Sequence, residues 1–108
     1  MIIKNLFTHL AQTSVGEISE TLLQTDSLKL ERIVSTGQST PPGRWYDQDR
    51  DEWVILLSGS AGLLFEEEHD VRVLRPGDHF LIPAHVRHRI EWTEAGAETV
   101  WLALHFTS

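Results

Sequence analysis

An antiparallel all-β fold, a sandwich or a barrel, is what this sequence predicts, and three observations carry the prediction. Seven short runs are apolar and often β-branched, the composition of strands. Clusters of Gly, Pro, Ser and Asp separate them at regular intervals, as turns between antiparallel strands do. Long helical patterns do not alternate with the strands, so βα units are not expected. The length of 108 residues suffices for one core but not two, which makes the whole chain a single domain.

Taken in order, the first element predicted is the only helix. Ser14 is placed to cap a short helical segment from Glu17 to Leu23, with Ile18 and Leu22 on one face and Asp26 and Ser27 at the exit. Strands follow at Leu28 to Val34, Glu52 to Ser58, Ala61 to Glu67 and Asp70 to Leu74. Three more are expected at His79 to Pro83, Arg87 to Trp92 and Glu98 to Phe106. The breaks are Gly37 to Gly43, Ser58 to Ser60, Arg75 to Asp78 and Thr93 to Glu98. A helix over the HVRH quartet is excluded by Pro83 just upstream and by the alternation of RHRIEW.

Charge and composition remove several function classes. A formal net charge of -7 gives no attraction to phosphate backbones or anionic membranes, so neither nucleic acid nor a membrane is an expected partner. Apolar runs fall short of a bilayer span, and MIIKNLFTHL lacks the pattern of a secretory signal, so a cytoplasmic location is expected. Cysteine is absent, which leaves His, carboxylate or amide oxygen as the only available metal ligands. Gly-rich phosphate loops, nucleophile-elbow serines and HExxH helices are also missing.

Candidate site residues come from side-chain alternation. Along a strand, residues of one parity share a face, so His88 groups with Ile90 and Trp92 against the charged set Arg87, Arg89 and Glu91. His88 is therefore expected to point inward, where an imidazole needs a hydrogen-bond partner or a metal. Glu52 shares a face with Val54 and Leu56, while Trp53, Ile55 and Leu57 make the other face apolar too. A strand of that kind is covered on both sides, which puts Glu52 near the interior. His85 has the opposite parity to His88, and a turn after Pro83 would bring it to the cavity rim. Asp47, Asp49 and Asp51 share one parity, the pattern of a solvated acidic face. His105 lies on a strand apolar on both faces, so alternation leaves its direction open.

The spacing of these residues resembles the cupin superfamily of small antiparallel β-barrels. Gly77-Asp78 through Pro83 to His88 looks like the family's second motif, and Glu52 followed by WVILLS and Gly59 like the second half of its first. The resemblance spans roughly residues 43–106 and implies a single-domain, jelly-roll type barrel, the short helix and first strand over residues 1–36 preceding it. Where the family places two histidines, however, this chain has Tyr46 and Gln48.

What the resemblance implies about function follows residue by residue. Family metal sites hold iron, manganese, nickel or zinc with the histidine pair and the positions matched here by Glu52 and His88. Gln48 and His85 are then the remaining candidate ligands, Tyr46 and Glu52 the candidates to move a proton, and Trp92 a pocket wall. The expected function is small-molecule binding, with a divalent metal and metal-assisted chemistry on an oxygenated substrate. The lost histidine pair favours instead a metal-free binding or sensing module. Small cupins often form homodimers, and the doubly apolar strands offer faces for that assembly.

Overall fold

A computed structural model describes residues 1–8 and 17–107 of the chain. It contains eight strands: β1 (Ile18–Gln24), β2 (Leu28–Ser35), β3 (Asp51–Ser58), β4 (Ala61–Phe65), β5 (Arg72–Leu74), β6 (His79–Ile82), β7 (His88–Thr93) and β8 (Thr99–Phe106). A five-stranded sheet runs β1-β2-β8-β3-β6, and a three-stranded sheet runs β5-β4-β7. All the pairings are antiparallel. The fold is thus two sheets face to face rather than a barrel closed by one continuous ladder, because the ladders among the described residues stop at β6 and at β5.

The short N-terminal helix is not formed. Glu17 leads into β1, which is bonded along β2 from Ile18↔Val34 to Gln24↔Lys29; the proposed cap, Ser14, lies outside the described residues. Ile18 and Leu22 have helical spacing, but the same residues satisfy their backbone groups in a ladder, and tertiary pairing overrides a weak local preference. A register shift between Thr21 and Leu23 breaks the alternation of β1.

Alternation holds on β3, where Glu52, Val54 and Leu56 are buried and Trp53, Ile55 and Leu57 are half-buried. The core is built on this face: Val54, Leu56 and Ala103 from one sheet meet Ala61, Leu63 and Leu74 from the other. Two tight turns hold the C-terminal end of β3. Gly59 has φ +84°, and a Cβ there would lie 2.7 Å from the Thr99 Cα, so only glycine fits. At the RPGD turn Gly77 has φ +94°, its N–H donates to the Leu56 carbonyl at 2.7 Å, and Leu56 N–H donates to Asp78 O at 3.0 Å. Asp78 Oδ2 closes the turn by accepting from Arg75 N–H at 2.8 Å.

The outer edge of β7 is covered rather than exposed. Thr40 N–H donates to Ile90 O at 2.9 Å, Ile90 N–H donates to Thr40 Oγ1 at 2.9 Å, and Tyr46 pairs with His88 in an isolated antiparallel bridge. The segment between β2 and β3 therefore caps an edge that would otherwise be open. It also fixes Tyr46 and Gln48 beside His88.

Candidate functional site

Between the sheets lies a cavity of about 220 Å³, the space of about seven liquid waters. Its walls are largely apolar, with Val54, Leu63, Phe80, Ile82 and Trp101 among them. Its polar groups are Glu52 from β3, His88 from β7, Glu31 from β2, His105 from β8, Ser19 from β1 and Glu17 just before it, joined by Tyr46 and Gln48 from the covering segment.

Glu52 is 7% exposed, as its alternation with Val54 and Leu56 requires. Its Oε1 is buried without a hydrogen-bond partner. Burial, reinforced by the Glu31 carboxyl, pushes its pKa up to about 7, because the charged form loses solvation and meets like charge. The carboxyl is therefore divided between acid and base forms near neutral pH.

His88 is 5% exposed. Its Nδ1 lies 2.9 Å from the Val86 carbonyl oxygen, and since a carbonyl only accepts, Nδ1 carries the hydrogen and Nε2 keeps its lone pair. That lone pair faces Glu52, with Nε2 3.8 Å from Oε1. Burial, followed by the neighbouring His105, holds the His88 pKa below the ordinary value, although the Val86 carbonyl opposes this. The separation is too long for a direct hydrogen bond. With Glu52 protonated, one hydroxyl placed between the two can bond both, donating to Nε2 and accepting from the carboxyl.

His105 is the residue that alternation leaves undecided, and the strand register decides it. Glu52 pairs with His105 across β3 and β8, which turns the imidazole into the cavity beside Trp101 and Ala103. Its Nε2 is 2.9 Å from Glu31 Oε1 and 4.0 Å from Glu52 Oε2. Glu31 also accepts from the Ser19 hydroxyl at 2.7 Å. Glu31 and His105 were not legible as site residues, because no single strand's pattern reveals which residues its neighbours place opposite.

Tyr46 and Gln48 both line the cavity. The Tyr46 backbone exchanges two hydrogen bonds with His88, at 2.7 and 3.1 Å, and its ring stacks on the imidazole with centroids 5.5 Å apart. Burial first, then Glu17, raises the phenol pKa against an opposing hydrogen bond with Thr40, so the hydroxyl stays protonated at neutral pH. The Gln48 Oε1 is buried and unpartnered.

Two expected residues are elsewhere. His85 sits in the turn with φ +66°, its N–H donating to Gln48 O at 2.7 Å; its imidazole points outward and meets Asp47 at 3.1 Å with 70% of the side chain exposed. The turn does not bring it to the rim. Trp92 faces away because a bulge interrupts β7: Gly62 pairs with Trp92 and Leu63 with Ile90, so one residue is skipped and parity reverses. The indole lies over Gly62, where a Cβ would collide with it, and Thr93 takes the buried direction.

The fit of a metal ion can be judged on the donors present. His88 Nε2 and the unpartnered oxygens of Glu52 and Gln48 are one imidazole and two oxygen donors, a set that suits a hard or borderline ion. Among the described residues no group of three or more His, Cys, Asp or Glu is arranged to hold one. Only a set completed by the amide of Gln48 remains. Likewise no helix among those residues is long and apolar enough to cross a membrane.

Comparison with known proteins places the chain by its own residues. The Cupin domain family matches residues 31–105. A crystal structure from Ralstonia eutropha JMP134, assigned provisionally as a mannose-6-phosphate isomerase, superposes with a TM-score of 0.93 at 48% identity, covering 100% of both chains. A cupin superfamily protein from Desulfitobacterium hafniense DCB-2 gives 0.73 at 20% identity, covering 92% of this chain and 84% of that one. The DMSP lyase DddQ from Ruegeria pomeroyi DSS-3 gives 0.71 at 21% identity, covering 99% of this chain and 55% of that one; these last two bear on the fold alone. No curated protein matches the chain.

Proposed function

The chain belongs to the Cupin domain family, and from that premise we propose that it binds a small oxygenated molecule between its two sheets, over Glu52 and His88. One observation carries this reading: the Glu52 Oε1 is buried in the cavity with no partner. A buried polar atom left unpaired costs about 1–3 kcal/mol, and a ligand hydroxyl bridging Glu52 and His88 removes that cost.

The same pair is equipped to move a proton. Glu52, with its pKa near 7, gives or accepts one without leaving the physiological range. The His88 Nε2 presents a lone pair 3.8 Å away, and the stacked Tyr46 ring holds that imidazole in place. The sugar isomerisation provisionally assigned to the Ralstonia eutropha relative can proceed by moving one proton between adjacent carbons and one between their oxygens, and the first of these is within reach of such a carboxyl. Sugar-like molecules are accordingly the substrates to try first.

Calorimetric titration with mannose tests the site. The wild type is expected to bind, and Glu52→Ala and His88→Ala are each expected to weaken binding at least about tenfold, the worth of one hydrogen bond to such a group. Equal affinity in wild type and both variants would overturn the reading.

The unpartnered oxygen of Gln48 favours a second reading, in which His88, Glu52 and Gln48 hold a divalent ion. Such an ion would supply Lewis-acid polarisation of a ligand oxygen. Manganese, nickel or zinc should then raise the melting temperature of the wild type but not of His88→Ala; an equal rise in both excludes this set.

A further inference from the structure

The charge lining the cavity is one-sided. Three carboxyl side chains, Glu17, Glu31 and Glu52, face it, and among the described residues no Lys or Arg does. Four of the arginines are committed elsewhere. Arg32 donates to the carbonyls of Leu6 and Thr8, Arg87 pairs with Glu66, Arg72 with Glu68, and Arg89 reaches out to Thr40 O and Glu91. Lys29 approaches Glu31 at 3.8 Å but does not line the cavity.

Anion recognition is built from arginine forks, lysines or the N–H groups of helix starts. None of these faces the cavity, for the eight elements described are all strands. Phosphate or carboxylate placed beside Glu52 and Glu31 would meet like charge in a space whose apolar walls screen little. The unpartnered atoms aimed into the space are acceptors, Glu52 Oε1 and Gln48 Oε1, and they call for a ligand rich in hydrogen-bond donors. A volume of about 220 Å³ holds a hexose-sized molecule.

We infer that the cavity takes an uncharged or amino sugar-like polyol and rejects phosphorylated and carboxylated ones, with Glu31 setting much of that selection from its place beside His105. This rests on the reading of the cavity as a ligand site. It separates the chain from the phosphorylated substrate named for its Ralstonia eutropha relative, even though the two share 48% of their residues.

Four probes on one ring test the charge rule. Mannosamine, mannose, mannuronate and mannose 6-phosphate are each titrated into the protein, while the indole signal of Trp101 and the imidazole signal of His88 are followed by NMR. Mannuronate separates charge from size, since it carries a carboxylate on a ring no larger than mannose. Mannosamine and mannose are expected to move both signals, and the two anions to bind at least about tenfold more weakly. Glu31→Gln should narrow that gap several-fold. Anions binding as tightly as mannose would overturn the charge rule and leave the site standing. If no probe moves either signal, the site itself falls, and the inference with it.

Discussion

Two Glu–His pairs share one cavity, and they are built differently. Glu31 and His105 meet at 2.9 Å, with Ser19 holding the second carboxyl oxygen and about 15% of each side chain exposed. Glu52 and His88 stand 3.8 Å apart and deeper, with Glu52 Oε1 left without a partner. The first pair is a satisfied contact that ties β2 to β8. In the second the imidazole satisfies its Nδ1 on the Val86 carbonyl, which leaves Nε2 and Oε1 facing one another with a gap. A closed pair contributes to the fold, whereas an open one costs stability and is available to a ligand.

The strongest test of that contrast is pH. The Glu52 pKa is raised in the folded state to about 7 from 4.5, so the native protein binds more protons than the unfolded chain in that window. Its contribution is present in full below pH 4.5 and is lost as pH rises through 7. Glu52→Gln removes this liability. In chemical denaturation the variant should match wild type near pH 4 and exceed it at pH 8 by up to roughly 3 kcal/mol. His88 has the opposite sign: its pKa is lowered by burial, so its contribution is present at higher pH and lost as pH falls below its ordinary value. The two contributions therefore oppose one another over the pH range they share. A Glu52→Gln stability curve parallel to that of wild type would show that the carboxyl is not buried as described.

Breaking the closed pair should do less. Glu31→Gln removes the carboxylate partner of His105 but leaves an amide able to accept, and a part-exposed contact of this kind is worth about 1 kcal/mol or below. The more telling result lies on the neighbour. Because Glu31 is one of the two causes that raise the Glu52 pKa, the variant should shift Glu52 titration to lower pH, a change read from its side-chain carbon signal in NMR. An unmoved Glu52 would show that the two pairs are electrically independent.

Much of this arrangement was legible in the sequence, and the gaps have definite physical causes. Alternation places Glu52 correctly because β3 is regular from Glu52 to Leu56, and it places His88 because the β7 bulge lies beyond that residue. It misplaces Trp92 for the same reason, since skipping one residue reverses every later side chain. The turn glycines at 59 and 77 are readable because only glycine tolerates their backbone. β1 reads as a helix because an edge strand with one partner carries little pattern of its own. His105 and Glu31 depend on the register between β2, β8 and β3, which is a property of the assembled sheet and appears in no one strand.

The smallest effect is expected at His85, three positions from His88 and opposite to it in fate. Its imidazole makes one exposed contact with Asp47, and contacts of that kind contribute between nothing and about 1 kcal/mol. What the position does demand is a backbone at φ +66°, a region that Asn visits readily among residues with a Cβ. His85→Asn should therefore change stability by no more than about 0.5 kcal/mol and leave mannose binding unchanged. His85→Val, which is strained at positive φ, should cost more than His85→Asn although both remove the imidazole. If His85→Asn instead weakened ligand or metal binding as His88→Ala does, the turn would have to bring this residue inward in solution, and the division between a closed outer shell and an open inner pair would fail at its edge.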